Sequence, residues 1–209
     1  FLSGTSVLSE ASPGRQLFLR VAAHDPSITS LDLSHDAELV RWPTERQAAA
    51  LLLLQNSPAV AHVNLSGLAM SDEVAPALAA LLSAADTRLE VLRLEQNDFR
   101  EAGLLILLAG LRRNTTLREL QLAGQRMAPS KRVEEGLAAL LEDGGASALC
   151  KLGLPVRNDA ARRRVDAALF RNQDRVRLRR RSSVDAQLAD AWLADAQSVD
   201  AQLADAQLV

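Results

Sequence analysis

The chain has 209 residues, 48% hydrophobic, 24% charged and 3% aromatic, with a net charge of −2. This is a globular composition, and the length fits one domain, or one domain with a tail. The longest apolar run, Ala48 to Leu54, is too short to span a bilayer, and the near-neutral total argues against a nucleic-acid binder. A single cysteine, Cys150, excludes an intrachain disulfide, and His24, His35 and His62 fit no zinc spacing, so no metal or cofactor is expected.

The opening, FLSGTSVLSEASPG, has a short apolar run and no basic start, and is not read as a signal peptide. Its first residue, Phe1, leads us to expect a longer parent chain. After it an L-x-x-L-x-L pattern, with Ile or Val allowed, occurs five times. It reads Ile28-Leu31-Leu33, Val60-Val63-Leu65, Leu89-Leu92-Leu94, Leu117-Leu120-Leu122 and Leu149-Leu152-Leu154, with starts 32, 29, 28 and 32 residues apart. Near-constant spacing over five occurrences marks a repeat architecture. Between the matches lie WPTERQAAALLLLQN, SDEVAPALAALLSA, REAGLLILLAGLRRN and SKRVEEGLAALLED, with apolar residues at helical spacing. Thr44 with Gln47 fits a capping box, and Ser71 fits an N-cap.

A strand and a helix every 28–32 residues predict an α/β leucine-rich-repeat solenoid. Five parallel strands are expected on the concave side, beginning near Ser30, His62, Glu90, Arg118 and Cys150, with helices on the convex side. The second and third apolar residues of each match, from Leu31 and Leu33 to Leu152 and Leu154, are expected to be buried. The residues between them form a polar concave row of mixed charge. Only the third unit carries the asparagine that normally braces the turn, Asn97; Asp36, Leu68, Gln125 and Arg157 stand at that place in the others, so the turns are expected to be irregular.

Residues 157–181 hold ten arginines and three aspartates. Asn158 fits the cap of a closing helix with Val165, Ala168, Leu169 and Asn172 on its inner stripe. Its arginines have two compatible readings, a solvated face of the end cap and a partner surface. No aromatic interleaves them as single-stranded nucleic acid requires, and a nuclear-localisation reading of RVRLRRR rests on charge alone. Residues 184–209 repeat every five residues, with five aspartates and no base. Alanine at the central position disfavours a pentapeptide β-helix. As an α-helix the segment would align Val184, Leu188, Trp192, Val199 and Leu203; a low-complexity tail is the other reading. The domain division is 1–13 extension, 14–181 repeat domain, 182–209 tail.

Residues 14–181 resemble the leucine-rich-repeat domain of tropomodulin and leiomodin. The resemblance rests on HDPSITSLDLS, QNSPAVAHVNLSG, LEVLRLEQNDFREAGLLILLAGLRRNTTLRELQLAGQ, RVEEGLAALLED and the closing NDAARRRVDAALFRNQDRVRLRRR, in that order. It implies a non-enzymatic actin-binding module of the filament pointed end, cytoplasmic and cytoskeletal, with no membrane or nucleic-acid partner. The alternative is a leucine-rich-repeat adaptor for a non-actin protein in a cytoskeletal or ciliary assembly. The family's tropomyosin-binding and first actin-binding helices have no counterpart in these residues, so tropomyosin binding is not expected of them. No WH2 motif follows the closing helix.

Candidate partner-binding residues are Arg162, Arg163, Arg171, Arg175 and Arg177 of the closing segment, chosen for charge, with Arg100 and Lys131 on strand-to-helix loops. Val165 and Leu169 are assigned to stability. Trp42, next to the repeat core, is read as packed, and Cys150 as structural. The sequons at Asn64 and Asn114 are read as chance. No G-x-S-x-G elbow, phosphate loop or H-E-x-x-H occurs, and no enzyme is expected.

Overall fold

The computed structural model describes residues 12–55, 57, 59–84, 87–178, 181 and 187. A short helix, α1 (Pro13–Ala22), precedes five strands: β1 (Ser30–Asp32), β2 (His62–Asn64), β3 (Val91–Arg93), β4 (Glu119–Gln121) and β5 (Lys151–Gly153). They form one parallel sheet in chain order. Between them run α2 (Thr44–Gln55), α3 (Ala75–Ser83), α4 (Glu101–Leu111) and α5 (Lys131–Glu142). A last helix, α6, begins at 159 and is described through 178.

The alternation expected of the strands holds. Leu31, Val63, Leu92 and Leu120 are buried between sheet and helices, and Leu33, Leu65, Leu94 and Leu122 continue the buried row. Two expectations need correction at the end of the stack. Leu152 and Leu154 are only partly buried, because among the described residues β5 is the last strand of the sheet and no further strand covers its outer edge. The last three strands begin one residue later than the spacing predicts. At each entrance two successive amides share one carbonyl of the preceding repeat, as Glu90 and Val91 do with Ala61, so the first is spent before the ladder starts.

The turns carry a regularity that the letters conceal. His35, Gly67, Gln96 and Gly124 occupy the same place in four repeats, and all have positive φ, between 54° and 70°. Glycine alone adopts this without steric cost. At Gly67 a second reason applies, since a Cβ there would collide with the His35 ring.

One residue further on, the bracing position works through different side chains. Asn97, 2% exposed, accepts from the amides of Leu68 and Met70 and donates to the carbonyls of Leu65, Leu94 and Glu95. Gln125 donates to Leu94 and Leu122 and accepts from the Phe99 amide. Asp36 accepts from the amides of Gly14, Glu38 and Leu39, tying α1 to the first repeat. Leu68 is itself buried, and its carbonyl accepts from Gln47 instead. Gln47 therefore points inward and does not close a capping box; Pro43 supplies the first helical carbonyl, to Gln47 N–H. Ser71 does stand at an N-cap, that of the 3₁₀ turn Asp72–Val74, with no side-chain bond.

The helices pack side by side. α3 and α4 approach so closely that a Cβ on Gly110 would lie 2.6 Å from Ala79 Cα. Two buried asparagines secure the helix-to-strand side. Asn114 donates to Leu82 and accepts from Thr116 and Leu117, and Asn172 of α6 donates to Ala146 and Leu149. The Asn114 sequon is thus buried. Trp42 packs edge-on against Phe18, 6.1 Å between centroids, with the Arg46 guanidinium 4.1 Å over its ring, as the packed reading requires.

Candidate partner-binding surface

Three surfaces follow from this fold. The concave face presents Ser30, His62, Val91, Glu119 and Lys151 in one row and Asp32, Asn64, Arg93, Gln121 and Gly153 in the next. Its charges answer one another. Glu119 lies 3.4 Å from Arg93 and 3.2 Å from Lys151. Burial opposes its ionisation, but hydrogen bonds from Lys151 and Gln121 and the charges of Lys151 and Arg93 hold its carboxyl below the usual range. This face is a neutralised, solvated surface.

The second surface is the rim where strands turn into helices. Ser71, Asp72, Glu73, Asp98, Arg100 and Arg126 line an open groove there. The Arg100 amide donates to Asp72 Oδ1 at 2.7 Å, while its guanidinium is exposed. Lys131 is exposed at the first position of α5, whose cap is Ser130, accepting from Val133. Arg126 lies on the Gly124–Lys131 loop, one of the strand-to-helix loops expected to offer contacts, and its individual signal is position alone, just past the bracing glutamine.

The third surface is α6. Asn158 caps it, accepting from Ala160 and Ala161, and the amides of Arg157 and Asn158 donate to Glu134, which is 3% exposed on α5. Ala161, Val165, Ala168 and Asn172 are buried against the last repeat, and Leu169 is half-buried, as expected for its inner stripe. The arginines divide by function. Arg164 bridges Glu135 and Glu142 at 2.7 and 2.6 Å and so braces α6 against α5. Its hydrogen bond to Glu142 holds that carboxyl below the ordinary range. Arg162 pairs with Asp159, and Arg177 lies 4.0 Å from Asp174. Arg163 and Arg175 make no ion pair among the described residues. Arg162, Arg163, Arg171, Arg175 and Arg177 are all exposed.

The fold thus gathers five of the seven candidate residues on one helix, though not on one line. At about 100° per residue, Arg163 and Arg177 share the outermost line of α6 with Phe170, Arg162 and Arg171 flank it on opposite sides, and Arg175, though exposed, lies near the line of Ala168. Arg100 and Lys131 belong to the rim. Phe170 is 63% exposed on that outermost line, with Asp166 and Asp174 one turn to either side of it; by pattern alone it passes for another core residue. Among the described residues no group of three His, Cys, Asp or Glu side chains is placed to hold a metal ion, and no helix is long and apolar enough to cross a membrane.

Comparison with known proteins places this arrangement. Human leiomodin-2 is 26% identical over 161 residues, which are 77% of this chain and 28% of leiomodin-2. Human tropomodulin-4 is 24% identical over 159 residues, 76% of this chain and 44% of tropomodulin-4. The chain therefore spans less than half the length of either relative. The solved structure of leiomodin-1 actin-binding site 2 superposes with a TM-score of 0.76 at 26% identity, covering 84% of this chain and 98% of that one. The tropomodulin C-terminal domain of Caenorhabditis elegans gives 0.72 at 26% identity, with 82% and 99% covered. The family model of the TMOD/LMOD leucine-rich domain matches residues 15–175, taking in all five strands and most of α6, and the chain belongs to that family.

Proposed function

We propose that residues 14–181 are a non-enzymatic actin-binding module of the cytoskeleton that acts at filament pointed ends. The observation that carries this reading is the unbroken correspondence, repeats and closing helix together, with a solved domain that is itself an actin-binding site. The contact residues we assign are Arg171, Arg175 and Arg177, with Arg162 and Arg163 on the same exposed helix and Arg100 and Lys131 on the rim. Planar guanidinium forks suit carboxylates, and a dense positive patch steers an acidic partner toward itself. Tropomyosin binding is not assigned to these residues.

The test is cosedimentation with filaments and pointed-end elongation at low and high salt, with the wild-type chain and an Arg171→Ser/Arg175→Ser/Arg177→Ser variant. The reading expects binding that weakens with salt and is reduced in the variant. Absence of binding even at low salt refutes actin as the partner and leaves the adaptor reading. Undiminished binding by the variant moves the contact to the rim.

A further inference from the structure

Among the described residues the sheet makes the same joint four times and does not make a fifth. At each joint the residue just before one strand, Thr29, Ala61, Glu90 or Arg118, offers its carbonyl to two successive amides of the next strand. The next carbonyl in this series is that of Cys150, and it receives the side-chain amide of Gln173 on α6 at 2.9 Å. Further along β5, Lys151 donates to Arg118 and the Gly153 carbonyl accepts from Leu122. By the alternation of a parallel ladder, the backbone groups of Leu152 and the amide of Leu154 therefore point away from β4. No strand meets them there among the described residues. The side chains of Leu152 and Leu154 are half-buried, as is Leu169 of α6. α6 follows β5 as α5 follows β4, so beyond β5 a helix is in place and a strand is not.

We propose that the outer side of β5 is a docking edge for an extended segment of another protein, which adds as a further parallel strand and displaces Gln173 from the Cys150 carbonyl. This does not rest on the actin-binding reading. The joints already in the sheet define the occupant: a strand with apolar side chains two apart over the helices, as Leu120 and Leu122 are, and polar ones between. The side of α6 that carries Gln173 also carries Leu169 and Val176, both half-buried, with Arg162 and Asp166. One charge of each sign leaves backbone pairing and apolar alternation to select the segment. The chain's own residues 184–209 do not fit, because no two of their Val, Leu and Trp residues stand two apart, and alanine and aspartate, weak strand formers, make up much of the remainder. A second copy offering its own β5 would bring a second α6 to the side that α6 already occupies.

The probe is a synthetic peptide with the sequence of residues 116–124, TLRELQLAG, which forms β4 in the chain. Titrated into the isotope-labelled full chain, it should shift the Leu152 and Leu154 amide resonances and protect both amides from exchange, leaving β1 unmoved. In the parallel register the peptide amides at the Glu119 and Gln121 positions face β5, as in the chain they face β3. N-methylation at those two positions should abolish binding, and N-methylation at the Leu120 and Leu122 positions should spare it. Gln173→Ala, which clears the Cys150 carbonyl, should tighten binding about two- to tenfold, the worth of one hydrogen bond. No shift at Leu152 and Leu154 with millimolar peptide, or equal or opposite effects of the two methylated peptides, overturns the docking edge. Unchanged or weaker binding by Gln173→Ala overturns the displacement of Gln173. In the chain alone both amides should exchange freely at every concentration. Protection that grows with concentration gives the edge to a second copy, protection independent of concentration gives it to the chain's own residues, and either overturns the external partner.

Discussion

Replacing Asn97 by alanine removes a side chain that makes five hydrogen bonds across two repeats. The amides of Leu68 and Met70 then lose their acceptor inside a buried turn, while the Leu94 carbonyl keeps Gln125 as a donor at 2.7 Å. An unpaired buried amide costs about 1–3 kcal/mol, and a water that enters the vacated space recovers part of it. The expected loss is therefore about 2–5 kcal/mol for the pair. With a urea m-value of about 1–3 kcal/mol/M, the unfolding midpoint falls by about 1–3 M while m stays constant. Far-ultraviolet circular dichroism in urea measures this, with Ser30→Ala on the exposed strand face as control. Hydrogen exchange adds locality: the Leu68 and Met70 amides should lose more protection than those of β5. A loss below about 1 kcal/mol, no larger than the control's, would refute the assignment of Asn97 as the brace of the central turns.

Leu94→Ala, at a position with no exposure, should cost about 2–5 kcal/mol in the same urea assay, whereas Leu52→Ala on the exposed side of α2 should cost little. Gly67→Ala should lower the melting temperature through both its positive φ and the clash with His35; an unchanged melting temperature would show that the turn relaxes freely. Asp36, Glu119 and Glu142 are all held below their ordinary values of 3.8, 4.5 and 4.5. A carboxyl depressed in the folded state contributes stability above its unfolded pKa, and that stability is lost as pH falls through the folded value. Melting temperature should therefore decline on acidification below about 4.5, and less steeply in Arg164→Ala, which has already lost the Glu142 pairing. A melting temperature that rises on acidification would contradict these pairings.

The repeat architecture was legible because burial imposes one residue class at fixed intervals. Leu31, Val63, Leu92 and Leu120 are buried in register, and the leucine spacing locates all four. The bracing of the turns was half legible. Asn97 stands out, but Asp36 and Gln125 do similar work in other repeats with other letters, and Glu134 holds the entry to α6 from another element. Their partners are backbone groups distant in sequence, which carry no residue signature. Positive charge on α6 was plain in composition, but its division was not. Arg164 is a brace because Glu135 and Glu142 happen to face it, and Phe170 is exposed because it lies opposite Val165 and Ala168 on the helix. Both facts depend on helix rotation, which apolar spacing fixes only loosely when alanines fill much of the inner stripe.

The strictly sequential strand order has a mechanical consequence. Each strand bonds only to its chain neighbours, so tension applied between the two ends loads the interfaces in series, and none shields another. The half-covered last strand is the place where rupture should begin, with the brace at Arg164 as the latch that must open first. Beyond that point each repeat that detaches releases a length of chain of about 100 Å, at roughly 3.4 Å for each of 28–32 residues, so an optical-trap trace of this domain should descend as a staircase rather than a single drop.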